Sequence, residues 1–463
     1  MLEGLEVSEV KYSEIRNNNE EFRLDDDYYR KEYVSIYNQM KNYVLLNDIV
    51  EMSDVSSNGS FKYVQDTLKD DFEKEIPYIR SGNVGETFIN SNDLIKISKE
   101  AHSKLKLSQT KLFDVMMARK GKIGGASIIT GDEVNYNCNE NVIKLSIINK
   151  EKYNPFYFTT FFNSKYGLKQ IERLSTGNVQ PWVSIYQIRK LRLEVLPLAF
   201  QQKIESLVKS AHANLSKSKS LYSEGEDLLL SELGIKDWQP NNAPVNIKQL
   251  KESFLASGRL DAEYYQPKYD TLFAQLSKYE CDTIKDIAHI NKSVEPGSEA
   301  YQDSGIPFVR VSDVSKFGIS EPSIYLSPYD FNLNELRPKK DTILLSKDGS
   351  VGIAYKVEED MDCITSGALL HLSVFNEDYT PDYLTLVLNS IVVQMQAERD
   401  SNGAIIQHWK PSEIEQVIIP KLPKPIQETI SAKIQESFAL KAESKRLLDE
   451  AKMMVEREIE KIN

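Results

Sequence analysis

The stretch RLDDDYYRKEYVSIYNQMKNY (residues 23–43) returns later in the chain as RLDAEYYQPKYDTLFAQLSKY (residues 259–279). The opening arginine, leucine and aspartate and four tyrosines all match at a constant offset of 236. A repeat of this length fixes the architecture before any single motif does. The sequence therefore predicts that the chain is an internal duplication.

The repeat continues in the same order along both halves, at offsets that shrink from 230 to 226. The matching pieces are IPYIR (76–80) with IPFVR (306–310), Gly121 and Gly124 with Gly349 and Gly352, Asn163-Ser164 with Asn389-Ser390, STG (175–177) with SNG (401–403), and Pro197, Gln201 and Ile204 with Pro423, Gln427 and Ile430. The second copy thus has the same plan with shorter loops.

Each copy ends in a long helical tail. After Pro197 and after Pro423, apolar or small residues recur at steps of three, four and seven, with charged residues between them. This spacing is typical of a coiled-coil seam. Two such helices can bury their seams against each other, which predicts an antiparallel pair; the alternative, in which each helix packs only on its own domain, stays open.

Strand-like runs alternate with turns in the body of each copy, at residues 142–148, 342–345 and 368–374. Leu233-Gly234 followed by WQPNNAP (238–244) predicts a helix stop and an extended linker. The predicted fold class is α/β (α+β), with two tandem globular domains and long antiparallel helices. The predicted boundaries are a tyrosine-rich segment 1–43, a first globular domain 44–198, a first spacer helix 199–235, a linker 236–258, a repeated tyrosine-rich segment 259–279, a second globular domain 280–424 and a second spacer helix 425–463.

Composition excludes several classes of protein. The 463 residues contain no run of about 18 to 20 apolar residues and no signal-peptide pattern at the start, so we expect a cytoplasmic protein without a membrane span. Cys138, Cys281 and Cys363 have no paired spacing, so neither a disulfide framework, a zinc site nor a cofactor is indicated.

The formal net charge of −12 argues against unspecific binding of nucleic acid over the whole surface. The charge is unevenly spread: residues 44–198 carry +3 and residues 280–424 carry −10. Only the first domain is basic, and the acidity of the second is the main objection to a protein that binds DNA with both.

The repeated pieces, together with Leu196-Pro197 and QQKI (201–204) at the start of the first helix, resemble the specificity subunit of type I restriction-modification systems over essentially the full length. The resemblance implies two target-recognition domains, each reading one half of a split site in double-stranded DNA. It also implies two docked methyltransferase subunits, a motor-nuclease subunit in complexes that cut DNA, and no catalytic role for this chain. A helix of roughly 30 residues spans about 45 Å, which is long enough to hold two recognition domains at a fixed separation on DNA.

Loop residues that recur in both halves, or lie beside the recurrence, are the candidate DNA contacts. Arginine suits the paired acceptors of guanine, and asparagine or glutamine suits adenine. The alternative is that they are turn residues that pack on their neighbours. The candidates are Arg80, Ser81, Asn83, Lys120, Lys122, Asn178, Gln180 and Trp182 in the first copy and Arg310, Ser312, Lys347, Ser350, Gln407, His408 and Trp409 in the second.

Catalytic motifs are not supported. NPFY (154–157) resembles the motif that holds a flipped adenine, but its counterpart TPDY (380–383) lacks the amide, so the shared content predicts a capped helix start. KGKIGG (120–125) is too short for a phosphate-binding P-loop, and Asp70, Asp71 and Glu73 indicate a solvated face rather than a nuclease centre.

Two other functions are weighed against the specificity subunit. A methyltransferase or nuclease with two recognition domains would need a cofactor site, and no such fingerprint is found. An acidic relative could bind methyltransferase subunits while mimicking or displacing DNA; the charge of −10 on the second domain motivates it. Acids such as Glu358, Glu359, Asp360 and Asp362 could instead face a partner or solvent.

Overall fold

The computed structural model describes residues 9–18, 23–25, 27–69, 74–121, 123–177, 181–331, 333–401, 403 and 407–461. The chain forms two compact units. Unit 1 comprises residues up to Leu215 together with Ala442 onwards, and unit 2 comprises Ser216–Lys441. Unit 1 is therefore built from both ends of the sequence, and unit 2 is continuous.

The part of unit 1 that precedes unit 2 contains nine α-helices and nine strands among its described residues, and the last of these helices continues into unit 2. They are α1 (Tyr12–Asn18), α2 (Lys31–Gln39), β1 (Tyr43–Leu45), α3 (Leu46–Ile49), β2 (Val50–Ser53), α4 (Phe61–Lys69), β3 (Lys74–Ile79), β4 (Ile95–Ser98), α5 (Lys99–Lys104), β5 (Val115–Ala118), β6 (Ala126–Ile128), β7 (Asn137–Cys138), β8 (Val142–Ile147), α6 (Pro155–Asn163), α7 (Lys165–Leu174), α8 (Ile185–Ile188), β9 (Arg192–Glu194) and α9 (Leu198–Glu232).

The strands of unit 1 form a four-stranded antiparallel sheet in the order β2-β8-β5-β6, a three-stranded sheet β4-β3-β7 and a short pair β1-β9. In the larger sheet β5 and β8 are buried on both faces, which suits their run of β-branched and other apolar residues. Helix α6, rich in phenylalanine and buried along its length, packs against β6. The main core of unit 1 lies between this sheet and α6, α7 and the long helices.

Unit 2 contains the remaining elements. They are α10 (Phe254–Ser257), α11 (Pro267–Leu276), β10 (Cys281–Thr283), α12 (Ile284–Ile287), β11 (Ala288–Lys292), β12 (Ile306–Val309), β13 (Val314–Ser315), β14 (Gly318–Ile319), β15 (Tyr325–Leu326), α13 (Leu333–Leu336), β16 (Ile343–Ser346), β17 (Ala354–Lys356), β18 (Ile364–Thr365), β19 (Leu369–Val374), α14 (Pro381–Asn389), α15 (Ile391–Asp400), α16 (Pro411–Ile414), β20 (Ile418–Pro420) and α17 (Lys424–Lys461), whose second half belongs to unit 1.

The sheets of unit 2 repeat those of unit 1. Their orders are β11-β19-β16-β17, β15-β12-β18 and β10-β20, with the extra hairpin β13-β14. In both units the Ile-Pro strand pairs parallel to a short strand, β3 to β7 and β12 to β18. The prediction of a duplicated α/β fold is confirmed, and the three predicted strand runs correspond to β8, β16 and β19.

The predicted helix starts and stop are confirmed. Asn154 caps α6, where its Oδ1 accepts from the N–H of Phe156 and Tyr157 at 3.0 and 3.2 Å. Thr380 caps α14 in the same way through Oγ1, with Tyr383 N–H at 3.2 Å. At the other end, Gly234 follows α9 with φ +61°, a left-handed conformation that glycine adopts without a Cβ clash.

The long helices pair within each unit as the antiparallel prediction requires. In unit 1 the first half of α9 packs on the second half of α17, and Ser444 Oγ donates to Ala211 O at 2.7 Å. In unit 2 the second half of α9 packs on the first half of α17, and Ser437 Oγ donates to Ser218 O at 2.7 Å. The repeat relates these two contacts, because at the offset of 226 Ser444 corresponds to Ser218 and Ser437 corresponds to Ala211.

The repeated tyrosine-rich segments pack on the helix that precedes the Ser-x-Gly loop. Tyr28 and Tyr33 are buried in unit 1, and Tyr269 is buried in unit 2. The guanidinium of Arg173 in α7 lies 4.2 Å from the Tyr28 ring centre, and that of Arg399 in α15 lies 4.9 Å from the Tyr264 ring centre. These tyrosines contribute to packing through their rings, not to an open stacking platform.

Within the described part of the chain, none of the helices combines the length and the apolar character that crossing a bilayer would demand.

Candidate nucleic-acid interface

The described candidate contacts of unit 1 lie on three loops, which we call loop cluster 1: residues 80–83, residues 119–121 with 123–125, and residues 175–177 with 181–183. The first is a tight turn after β3, in which Arg80 N–H donates to Asn83 Oδ1 at 2.9 Å. Asn83 Nδ2 donates in turn to the carbonyls of Asn90 and Asn92 at 3.1 and 3.2 Å. The asparagine therefore holds the turn from inside and leaves Arg80 on the surface.

Backbone hydrogen bonds join the three loops. Asn139 N–H donates to Ile79 O, and Arg119 N–H donates to Asn141 O, both at 3.0 Å, so one short segment ties the end of β3 to the start of the glycine turn. Arg119 O then accepts from Val183 N–H at 2.8 Å. The loops that the sequence places about 40 and 60 residues apart are thereby brought into one cluster.

The backbone conformation of this turn explains why glycine occupies it. Gly121 and Gly124 adopt φ +83° and +84°, and their counterparts Gly349 and Gly352 adopt +73° and +86°. Side-chain-bearing residues rarely take these values. The turn also lies close to the first loop, since a Cβ on Gly121 would be 3.9 Å from Ser81 Oγ.

Loop cluster 2 consists of residues 310–313, residues 347–352, and residues 401, 403 and 407–409, and it repeats the same bonds. Ser366 N–H donates to Val309 O at 2.8 Å, and Lys347 N–H donates to Ala368 O at 2.9 Å. Lys347 O accepts from Trp409 N–H at 2.8 Å, as Arg119 O does from Val183. The two clusters therefore share one backbone framework.

The predicted side chains of unit 1 are divided between surface and interior. Arg80 and Lys120 are exposed, Ser81 is half-buried, and Trp182 is exposed to 45%. Asn83 is only 4% exposed and its amide is used within the turn, so the structure corrects the prediction that it contacts DNA. Lys122, Asn178 and Gln180 lie outside the described residues.

In unit 2, Ser312, Ser350, Gln407 and His408 are exposed, and Arg310 is half-buried. The ammonium of Lys347 is largely covered and is shared between Asp348 and Glu295. Trp409 is 1% exposed because it occupies the position of buried Val183, so the prediction that it contacts DNA is corrected as well. His408 is the true counterpart of Trp182.

Sequence reasoning missed Asp348. An isolated antiparallel bridge joins Lys120 to Trp182 in unit 1, and the matching bridge joins Asp348 to His408 in unit 2. Asp348 Oδ1 lies 2.8 Å from His408 Nδ1. The offset of 228 given by the glycines already aligned Asp348 with Lys120, but a carboxylate had not been sought among candidates for contact with a polyanion.

A buried basic side chain sits at equivalent positions of the central strands β8 and β19. Lys144 Nζ donates to the carbonyls of Leu107 and Gln109 at 2.8 and 2.6 Å, and burial lowers its pKa. His371 Nε2 lies 2.7 Å from Thr365 Oγ1, and burial lowers its pKa to about 4. These groups belong to the interior of each unit and are not available for contact.

Comparisons with known proteins agree with the duplicated plan. A family model described as the type I restriction modification DNA specificity domain matches the chain twice, over residues 38–220 and 277–452. The S subunit of a type I restriction-modification system from M. genitalium is similar at 14% identity and a TM-score of 0.41, covering 90% of this chain and 94% of that one. The HsdS subunit from Thermoanaerobacter tengcongensis is similar at 16% identity and a TM-score of 0.28, covering 90% and 95%. The search of curated proteins found no match.

Proposed function

Because the chain belongs to the family of type I restriction-modification DNA specificity domains, we propose that it directs such a complex to a split target, with each unit reading one half-site in duplex DNA. Subunits of this family are not catalytic, so methyl transfer falls to partner subunits. The observation that carries the proposal is the pair of loop clusters, which share one backbone framework and differ in their exposed side chains.

A shared backbone framework with different exposed side chains suits a protein whose two units recognise different half-sites. Phosphate contacts position a protein on DNA, while side chains at base edges supply sequence preference. The exposed and half-buried members of the clusters are the proposed contact set, with the three predicted residues outside the described part retained as candidates. The set is Arg80, Ser81, Lys120, Lys122, Asn178, Gln180, Trp182, Arg310, Ser312, Lys347, Ser350, Gln407 and His408.

Two methyltransferase subunits are the proposed protein partners, and the repeated Arg-Leu-Asp turn is the surface that we propose for their docking. Arg23 is bonded to Asp25 at 2.7 Å and reaches the carbonyls of Arg173 and Ser175 at 3.2 Å; Arg259 bonds Asp261 and the carbonyl of Asp400 in the same way. Between these fixed ends, Leu24 is 74% exposed and Leu260 is 75% exposed. One exposed leucine in the same frame, present twice, fits two copies of one partner.

The acidity of unit 2 does not favour a DNA mimic. Three of its four clustered acids are paired with bases of the same unit: Glu358 with Lys356 at 3.0 Å, Asp360 with Lys339 at 3.2 Å, and Asp362 with Arg337 at 2.5 Å. A mimic needs a row of unpaired negative charges in the place of phosphates. Acids that are held by neighbouring bases do not form such a row.

The test is to map adenine methylation of the host genome with and without the gene, and to identify the proteins that co-purify with the chain. We expect methylation at one split motif to vanish on deletion and methyltransferase subunits to co-purify. Unchanged methylation in a strain whose methyltransferase subunits are expressed and active, together with failure of the purified complex to prefer any DNA sequence, would contradict the proposal.

A further inference from the structure

Residues 120 and 348 occupy the same position in the two loop clusters. Each begins the glycine turn, and each is bridged to one exposed ring residue, Trp182 or His408. The next residue of each turn donates its N–H across the same gap, Gly121 to Pro181 O at 3.3 Å and Gly349 to Gln407 O at 3.0 Å. The backbone is therefore matched while the charge at this position is reversed.

The two side chains differ in what they can bond. Lys120 is exposed, and no described residue pairs with its ammonium, which can only donate. The Asp348 carboxylate can only accept; one oxygen is bonded to His408, and the other to Lys347. Since a carboxylate offers about four acceptor positions, these two bonds leave capacity for a donor on DNA.

The surroundings keep the second position negative. Lys347 is the one described base bonded to Asp348 besides the histidine, and it is shared with Glu295 at 3.8 Å. One ammonium thus faces two carboxylates. The equivalent base in unit 1, Arg119, is instead bonded to buried Asp54 at 3.0 Å, away from Lys120.

The base edges of DNA differ in the same respect, because some present hydrogen-bond acceptors and others present donors. In the major groove guanine presents two acceptors, O6 and N7, whereas cytosine N4 and adenine N6 are amino donors. An ammonium is matched to guanine. A carboxylate is repelled by the guanine acceptors and matched to an amino group.

We propose that residues 120 and 348 are equivalent base-discriminating positions, with guanine facing Lys120 in the first half-site and an amino-bearing base, cytosine or adenine, facing Asp348 in the second. This inference rests on the proposed function, since it names which chemistry each unit reads. Besides belonging to the proposed contact set, His408 and Lys347 position the Asp348 carboxylate, because they hold its two oxygens from either side.

The experiment uses the full chain assembled with its methyltransferase subunits and measures methylation of a DNA library in which every base pair of the wild-type motif is varied. Asp348→Asn keeps the shape and adds a donor, so discrimination at one base pair of the second half-site should fall about 10-fold or more. Asp348→Lys should move the preference at that base pair toward guanine. Lys120→Asp should produce the reverse change in the first half-site only.

Asp360→Asn is the matched control. This carboxylate is exposed, is paired with Lys339, and follows β17 near the start of β16, whereas Asp348 follows the end of β16. It should leave every preference unchanged. In each variant, an unchanged base preference at the half-site read by the other unit shows that the complex is folded and active.

The outcomes separate the two proposals. A wild-type complex without any split motif would overturn the proposed function and this inference with it. A wild-type split motif that stays unchanged in Asp348→Asn and Asp348→Lys would overturn the inference alone. So would a uniform loss of methylation over all sequences, because that result indicates a contact with phosphate or a folding role.

Discussion

His371 shows how the interior of unit 2 responds to pH. It lies in the central strand β19, is bonded to Thr365, and is kept neutral by burial, with a pKa of about 4. An unfolded histidine has a pKa of about 6.5. Between these two values the unfolded chain binds the extra proton, so the free energy of unfolding falls as the pH drops from about 7 towards 4.

We predict that His371→Gln removes this part of the pH dependence. Glutamine retains a group that can bond Thr365 but does not titrate. Between pH 8 and pH 5 the wild-type chain should lose on the order of 2 kcal/mol more stability than the variant, measured as urea midpoints of unfolding at each pH. His289→Gln, on the exposed face of the neighbouring strand β11, should follow the wild type. Parallel curves for wild type and His371→Gln would rule the explanation out.

For the candidate DNA contacts, the sequence identified the loops but did not predict whether a single side chain points to solvent or to the interior. Asn83 and Trp409 are polar or amphipathic residues in loops, which favoured surface positions. Asn83 instead satisfies carbonyls of its own turn, and Trp409 fills the place of an apolar residue. The offset of 226 already aligned His408 with Trp182 and Trp409 with Val183, and the bridge partners agree with that alignment, but the two tryptophans had been taken as equivalent.

Among the elements, the Arg-Leu-Asp turn is fixed by local electrostatics. The Arg23 guanidinium lowers the pKa of the Asp25 carboxyl, and Arg259 does the same for Asp261. The arginine also reaches a carbonyl in the last turn of α7 or α15. The repeat identified this turn from the sequence. Its contacts could not be predicted, because the residues that it bonds lie about 140 to 150 residues away in the chain.

We predict that Leu260→Asp removes one methyltransferase subunit from the assembled complex, and that Leu24→Asp with Leu260→Asp removes both. A charged residue in a desolvated contact carries a cost that the neighbouring contacts do not offset. Native mass spectrometry of the reconstituted complex gives the subunit count. Ile247→Asp is the matched control, because Ile247 is 91% exposed but lies outside the repeated stretches 23–43 and 259–279. Two subunits retained by the double variant would place the docking surface elsewhere.

For the whole molecule, the repeat predicted two similar units with paired helices, and this is confirmed. It did not predict which half of each helix completes which core, since a heptad seam looks the same along its length. In the structure Val455 and Ile459 of α17 lie in the core of unit 1, while Leu229 of α9 and Leu233, which directly follows that helix, lie in the core of unit 2. These pairs are related by the offset of 226.

We predict that Val455→Ala weakens unit 1 by about 2 kcal/mol and that Leu229→Ala weakens unit 2 by about 3 kcal/mol. Hydrogen exchange should show faster opening of β8 in the first variant and of β19 in the second. Equal loss of protection in both strands for either variant would contradict this division of the helices.

The discontinuity of unit 1 has a consequence during synthesis on the ribosome. Residues 442–461 emerge after all of unit 2, roughly 10 to 45 s later than residue 215 at ordinary translation rates. Throughout that interval the apolar seam of Ile204, Val208 and Ala211 lacks the helix that covers it. The continuous second unit can complete its core first, and the nascent first unit remains a client for chaperones until the final helix has been made.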